Sequence, residues 1–210
     1  MAVYVHALSD APVMPWEEDD GRRIESVEIE GVFVIGEWRD SVPAVNESEL
    51  QRQHSIVLRL AEAVPAIIPA RFGSFLEEPE LAAILRQRKD VIRTTLEHVR
   101  DNVQMTLRMA SAAAASSASP PASGRDYLNR RRDELVPPVP AHSENLLREL
   151  RSLVLDERRR SGERGIVTIY HLIHRADVKE YRDTVTSVGT PGIAVSGPFA
   201  PFAFAPELFT

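Results

Sequence analysis

The spacing of apolar and polar positions changes several times along the chain. Ala2 to Leu8 and Ile24 to Trp38 carry β-branched and aromatic residues in short stretches, the pattern of strands, and Glu30-Gly31 is the expected turn that splits the second stretch in two. Leu50, His54, Val57, Leu58, Ala61 and Val64 then recur at the helical period between Asn46, a capping residue, and Pro65, which ends the run. Ala66 to Phe72 predicts a further strand that Gly73 terminates, with Pro69 placing it at an edge or a bulge. One longer helix is expected after Pro79, its stripe being Leu81, Ile84, Leu85, Val91, Ile92, Leu96 and Val99, and Val103 to Leu107 alternates as a strand.

The Ala/Ser tract at 110–123, closed by Pro120-Pro121, has too little side chain to build a core and reads as a linker or long loop. Pro137-Pro138-Val139-Pro140 is a second break. Gly124 to Leu128 opens a short helix, and Ser143 is the expected cap of another whose stripe is Leu146, Leu147, Leu150, Leu153 and Val154. Ile166 to Ile173 reads as a central strand, Val178, Tyr181 and Val185 as one helix face, and Ile193 to Ser196 as a last strand. The second half therefore reads β-α-α-β-α-β, close to a ferredoxin-like sandwich with an extra helix. The expected fold class is α+β in two domains, a mixed N-terminal domain at 1–101 and a modified ferredoxin-like domain at 102–210.

Composition narrows the chemistry. At 43% hydrophobic residues the chain has material for one large core or two small ones, and its net charge of −6 gives no general attraction to nucleic acid. The charge is uneven: residues 1–50 hold 12 acids against Arg22, Arg23 and Arg39, whereas 121–164 hold 10 arginines against 8 acids. With no cysteine there is no disulfide, thiol nucleophile or thiolate metal site, and the expected compartment is the cytoplasm. No secretory signal and no apolar run near the ~18 residues of a membrane span stand in the sequence.

Glycine-rich phosphate loops are lacking, so no nucleotide cofactor is expected. Glu17-Glu18-Asp19-Asp20 lacks the alternate ligands of a calcium loop and reads as a solvated acidic loop. His171 and His174, three apart on a strand, face opposite ways and cannot share an ion, and His54 on an apolar helix face reads as a hydrogen-bonded core or boundary histidine. Arg130-Arg131-Arg132 and Arg158-Arg159-Arg160 read as solvated helix surface, and the aromatic strand around Phe33 carries the wrong local charge for RNA. No catalytic, cofactor-binding or metal-binding residue is expected.

The C-terminal stretch Gly197-Pro198-Phe199-Ala200-Pro201-Phe202-Ala203-Phe204-Ala205-Pro206 sets three phenylalanines among prolines that oppose regular sheet pairing. It admits two readings, an arm packed across its own domain or an adhesive edge for an apolar partner. Phe199, Phe202 and Phe204 are the candidate partner-binding residues.

Taken in order, Val3-Tyr4-Val5-His6-Ala7, His54 on the first long helix, Ile68-Pro69-Ala70-Arg71-Phe72-Gly73-Ser74-Phe75, Gly124-Arg125-Asp126-Tyr127-Leu128 and Gly197 to Phe204 resemble the GvpL/GvpF family of gas vesicle proteins over nearly the whole chain. The resemblance implies an N-terminal α+β domain, a C-terminal modified ferredoxin-like domain, and a non-enzymatic accessory role in gas vesicle assembly. It implies as partners the small hydrophobic shell protein and other vesicle accessory proteins, with no small-molecule substrate, nucleic acid or membrane. The alternatives are a small-ligand-binding protein or enzyme on a ferredoxin-like scaffold, which a closed apolar pocket lined by groups such as His54 or Tyr170 would favour, and an RNA-binding module.

Overall fold

The computed structural model describes residues 2–110, 139–162 and 165–209. The expected linker beyond Ala110 and the expected helix at Gly124 to Leu128 lie outside the described residues. The fold is mixed α+β with two antiparallel sheets. The chain divides into two compact units, Met1–Val103 with Phe199–Thr210, and Gln104–Pro198. This differs from the expected division at 101/102 in the placement of 199–210, which is built into the first unit.

In the first unit β1 (Ala2–Ser9) pairs with β4 (Val32–Arg39), and β4 with β3 (Arg23–Ile29). Glu30 and Gly31 link β3 to β4 with φ of 54° and 79°, the two positive values that a tight hairpin needs to match strand twist. β2 (Trp16–Glu17) extends one edge, while β5 (Ile67–Pro69) and β6 (Phe75–Glu77) both pair with β1, completing six strands. Helix α1 (Glu47–Ala63) starts where expected, the Asn46 side-chain oxygen accepting from the Glu49 amide at 2.9 Å. The single helix expected after Pro79 is two, α2 (Glu78–Gln87) and α3 (Lys89–Val99), divided at Arg88 with φ −103° and ψ 11°. Leu81, Leu85, Ile92, Leu96 and Val99 are buried through the break, so the apolar period does not register it.

Neighbouring residues of β4 face opposite ways and serve both layers. Ile35 joins Ile24, Ile56, Val57 and Leu60 beneath α1, and Val34 lines a crevice with Leu81 of α2.

The seat of α1 is set by polar groups that periodicity misses. Its buried face is Gln53, Ile56, Val57, Leu60 and Ala61, turned away from the expected stripe, and His54 and Leu50 are exposed. Gln53 is drawn inward because its side-chain oxygen accepts from Nδ1 of the fully buried His6 on β1. One residue earlier, Arg52 grips the Glu37 carboxylate of β4 with two hydrogen bonds of 2.9 and 2.7 Å, and Arg39 adds a third at 3.2 Å. Glu37 is only 1% exposed, and a carboxylate so placed costs several kcal/mol unless it is paired this way.

In the second unit the sheet order is β10-β7-β9-β8, formed by β7 (Asn102–Ala110), β8 (Val154–Ser161), β9 (Ile166–His174) and β10 (Ile193–Phe199), with α4 (Glu144–Leu150) and α5 (Val178–Val188). Three local expectations are corrected. Val154 to Ser161 is strand where helix surface was expected; β8 is an edge strand whose charges blunt an unpaired edge, and with Val154 as its single β-branched residue it is hidden from the sequence pattern. Ser143 does not cap α4, because its hydroxyl donates to the Pro140 carbonyl at 2.7 Å. The last strand runs through Pro198 to Phe199, with Gly197 at φ 119° and so close to β7 that a Cβ would lie 2.7 Å from the Gln104 carbonyl oxygen.

Burial holds the His6 imidazole near a pKa of about 4, against 6.5 when free. The folded pKa is lowered, so between these values the unfolded chain binds a proton that the fold refuses, and stability falls as pH drops through this window by about 3 kcal/mol in all. Denaturant unfolding across pH 6.5 to 4, with NMR of the His6 ring, checks this; a His6 ring that titrates near 6.5 in the folded protein contradicts it.

Candidate functional site

The three candidate phenylalanines have unlike environments. Phe199 ends β10 half-buried, its ring tilted against the exposed His54 of α1 with centroids 6.1 Å apart. Ala200 is fully buried in the core beneath α1, among Ile56, Val57 and Leu60. A single 3-10 turn, Phe202–Phe204, follows, closed by the Phe204 amide donating to the Pro201 carbonyl at 3.0 Å. With about three residues per turn, positions two apart point about 120° away from each other, on different sides of the turn. Phe204 is accordingly 2% exposed and Phe202 38%. Leu208 is buried beyond them, and Arg71 and Glu207 pair on the surface at 2.5 Å. The segment is thus held at Ala200, Phe204 and Leu208, and presents one ring on a fixed backbone.

A second feature lies in the second unit. Glu157 of β8 and His171 of β9 are direct cross-strand partners, and His171 is buried. With the tautomer assigned from the surrounding bonds, the buried Tyr181 hydroxyl of α5 donates to Nδ1 of His171 at 2.8 Å, and Nε2–H donates to Glu157 at 3.0 Å. Arg159 donates to the other Glu157 oxygen at 2.6 Å. The His171 hydrogen bond, aided by Arg159, holds the Glu157 carboxyl down to about 2, while burial pushes the Tyr181 hydroxyl up. Glu157 is therefore a fixed anion with both oxygens occupied. Glu157, Arg159 and His171 border a cleft of about 430 Å³ lined also by Val139, Glu144, Leu147, Arg148, Arg151 and Val154.

Sequence periodicity located His171 and Tyr181 on their elements but missed their meeting with Glu157, which depends on the unrecognised β8. Neither His54 nor Tyr170 lines this cleft or the apolar crevice beneath α2, whose volume of about 10 Å³ is at the threshold for a single water. Among the described residues no three His, Asp or Glu side chains converge as a metal site, and no helix is long and apolar enough to cross a membrane.

Replacing Phe204 by alanine should cost about 3 kcal/mol and lower the melting temperature, whereas Phe202→Ala should change stability by about 0.5 kcal/mol or less. Thermal and denaturant melts of the two variants check the difference; equal losses contradict it.

A family model described as gas vesicle synthesis protein GvpL/GvpF matches residues 2–206. The crystal structure of the gas vesicle protein GvpF from Anabaena sp. PCC7120 is similar to this fold with a TM-score of 0.72 at 13% identity, covering 98% of each chain. That of GvpF from Microcystis aeruginosa gives a TM-score of 0.72 at 12% identity, covering 98% of this chain and 99% of that one. No curated protein matches the chain. At such identities the two structures speak for the fold, and the family match over nearly the whole length makes this chain a member of the GvpL/GvpF family of gas vesicle proteins.

Proposed function

We propose that this chain is a non-enzymatic accessory protein of gas vesicle assembly that binds the hydrophobic shell protein through an apolar surface including Phe202. The family match gives the setting, and one observation carries the reading: Phe202 is an exposed aromatic ring on a segment that buried neighbours hold still. A pre-placed ring loses little conformational entropy on binding, which suits it to anchor an apolar partner. Phe199 is half-buried against His54, and the buried Phe204 acts as support for the turn that carries Phe202.

The reading includes a modified ferredoxin-like second domain. The order β10-β7-β9-β8 supports it, because the connection from β7 to β8 skips over β9 and the α5 connection from β9 to β10 skips over β7, the split pattern of that fold. Other vesicle accessory proteins are further partners in this account, and the protein lies in the cytoplasm with the growing gas vesicle.

A small-ligand role is the second reading, favoured by the polar cleft beside Glu157, His171 and Tyr181. Its reactive groups are fully engaged with one another, which makes a brace a better description than a catalytic set.

An aromatic anchor contributes on the order of 2 kcal/mol to an interface, so Phe202→Ala should weaken capture of the shell protein ~30-fold while the fold stays intact. Pull-down with purified shell protein checks this against Phe199→Ala. Undiminished binding by folded Phe202→Ala contradicts the proposed surface.

A further inference from the structure

We infer that the arginine-lined cleft of the second unit is the docking site for the acidic edge segment Met14 to Asp20, β2 with its flanking loop, of a second copy of this chain, so that copies associate head to tail. The inference does not depend on shell-protein binding.

The cleft has the size of a ligand site, about 430 Å³ against a usual range of about 300 to 1,000 Å³. Val139, Leu147 and Val154 give it apolar surface, and Arg148, Arg151 and Arg159 supply guanidinium groups. Arg159 is committed to Glu157, whose two oxygens are taken by Arg159 and His171. Arg148 bonds to Asn145 and lies 3.8 Å from Glu149. Arg151 is exposed, and its guanidinium has no ionic or hydrogen-bonding partner among the described residues. The lining thus sets three guanidiniums against the carboxylates of Glu144 and Glu157, and the surplus of positive charge lies at Arg151 beside Arg148.

The loop offers the complementary set. Arg59 stacks over Trp16 at 4.3 Å, Trp16 donates to Glu18, and Arg22 donates to Asp20 at 2.7 Å, so these groups hold the loop in shape. Glu17 and Asp19 are left exposed, neither with an ionic partner among the described residues, and Met14 beside them is 86% exposed. Two carboxylates next to one apolar side chain match two guanidiniums next to an apolar wall.

The overall charge points the same way. The first unit carries 20 acidic and 11 basic residues, the second 11 acidic and 14 basic, so each unit attracts the other kind on a neighbouring molecule. Because loop and cleft are different patches, such a contact is heterologous and leaves a free loop and a free cleft at the ends for further growth.

Sedimentation velocity of the full chain tests this. The mass should rise with protein concentration above the 23.4 kDa of one chain and return to it at about 1 M salt, where charges are screened beyond about 3 Å. The double variants Arg148→Glu/Arg151→Glu and Glu17→Arg/Asp19→Arg, both at exposed positions, should stay folded by circular dichroism and each weaken association by about tenfold or more. Mixed in equal amounts, they should associate again as alternating copies, since the reversed loop of one fits the reversed cleft of the other and the unaltered loop and cleft still fit each other. A wild-type mass of one chain at every concentration, association unchanged in either variant, or a mixture no heavier than its parts would overturn the inference.

Discussion

The burial of Ala200 under α1 makes the end of the chain part of its beginning. Ala200 occupies the same core as Ala7, Ile24 and Ile35 from the sheet and Ile56, Val57 and Leu60 from the helix, and Phe204 and Leu208 extend that hold. The second unit is in consequence an insertion, entered after Val103 and left before Phe199, with its two outlets on the neighbouring strands β7 and β10. The same burial decides which ring is available, because fixing Ala200 and Phe204 leaves Phe202 directed outward. The surface proposed for a partner is a by-product of the way the core closes.

That closure depends on where α1 sits, and α1 is placed by polar groups as much as by its apolar side. Arg52 and Arg39 satisfy the buried Glu37 carboxylate, and His6 holds Gln53. These pairs add geometry that apolar packing lacks, since a helix rotated by one position would strand a buried carboxylate. The requirement for a neutral His6 also ties the seat of α1 to pH.

Much of the first unit was legible because its signals are local. The Glu30-Gly31 turn, the Asn46 cap and the apolar content of β1 and β4 each show in a few neighbouring residues, and the structure has them where the sequence places them. The rotation of α1 was not legible, because it is decided by His6, 47 residues away from Gln53 along the chain. β8 was hidden by composition: Asp156-Glu157-Arg158-Arg159-Arg160 suits an exposed helix as well as it suits an edge strand. With β8 went the meeting of Glu157, His171 and Tyr181, and the cleft beside them. In the C-terminal segment the sequence singled out three phenylalanines but could not rank them, since their burial is set by a 3-10 turn and not by strand alternation.

The central claim is that a ring held outward by a buried strap meets the hydrophobic shell protein. Hydroxyl-radical footprinting with and without purified shell protein tests it at the residue concerned. The account predicts that Phe202 is readily oxidised in the free protein and protected in the mixture, while Phe204 is unreactive in both. Oxidation of Phe202 that is undiminished under conditions where the two proteins co-sediment would contradict it.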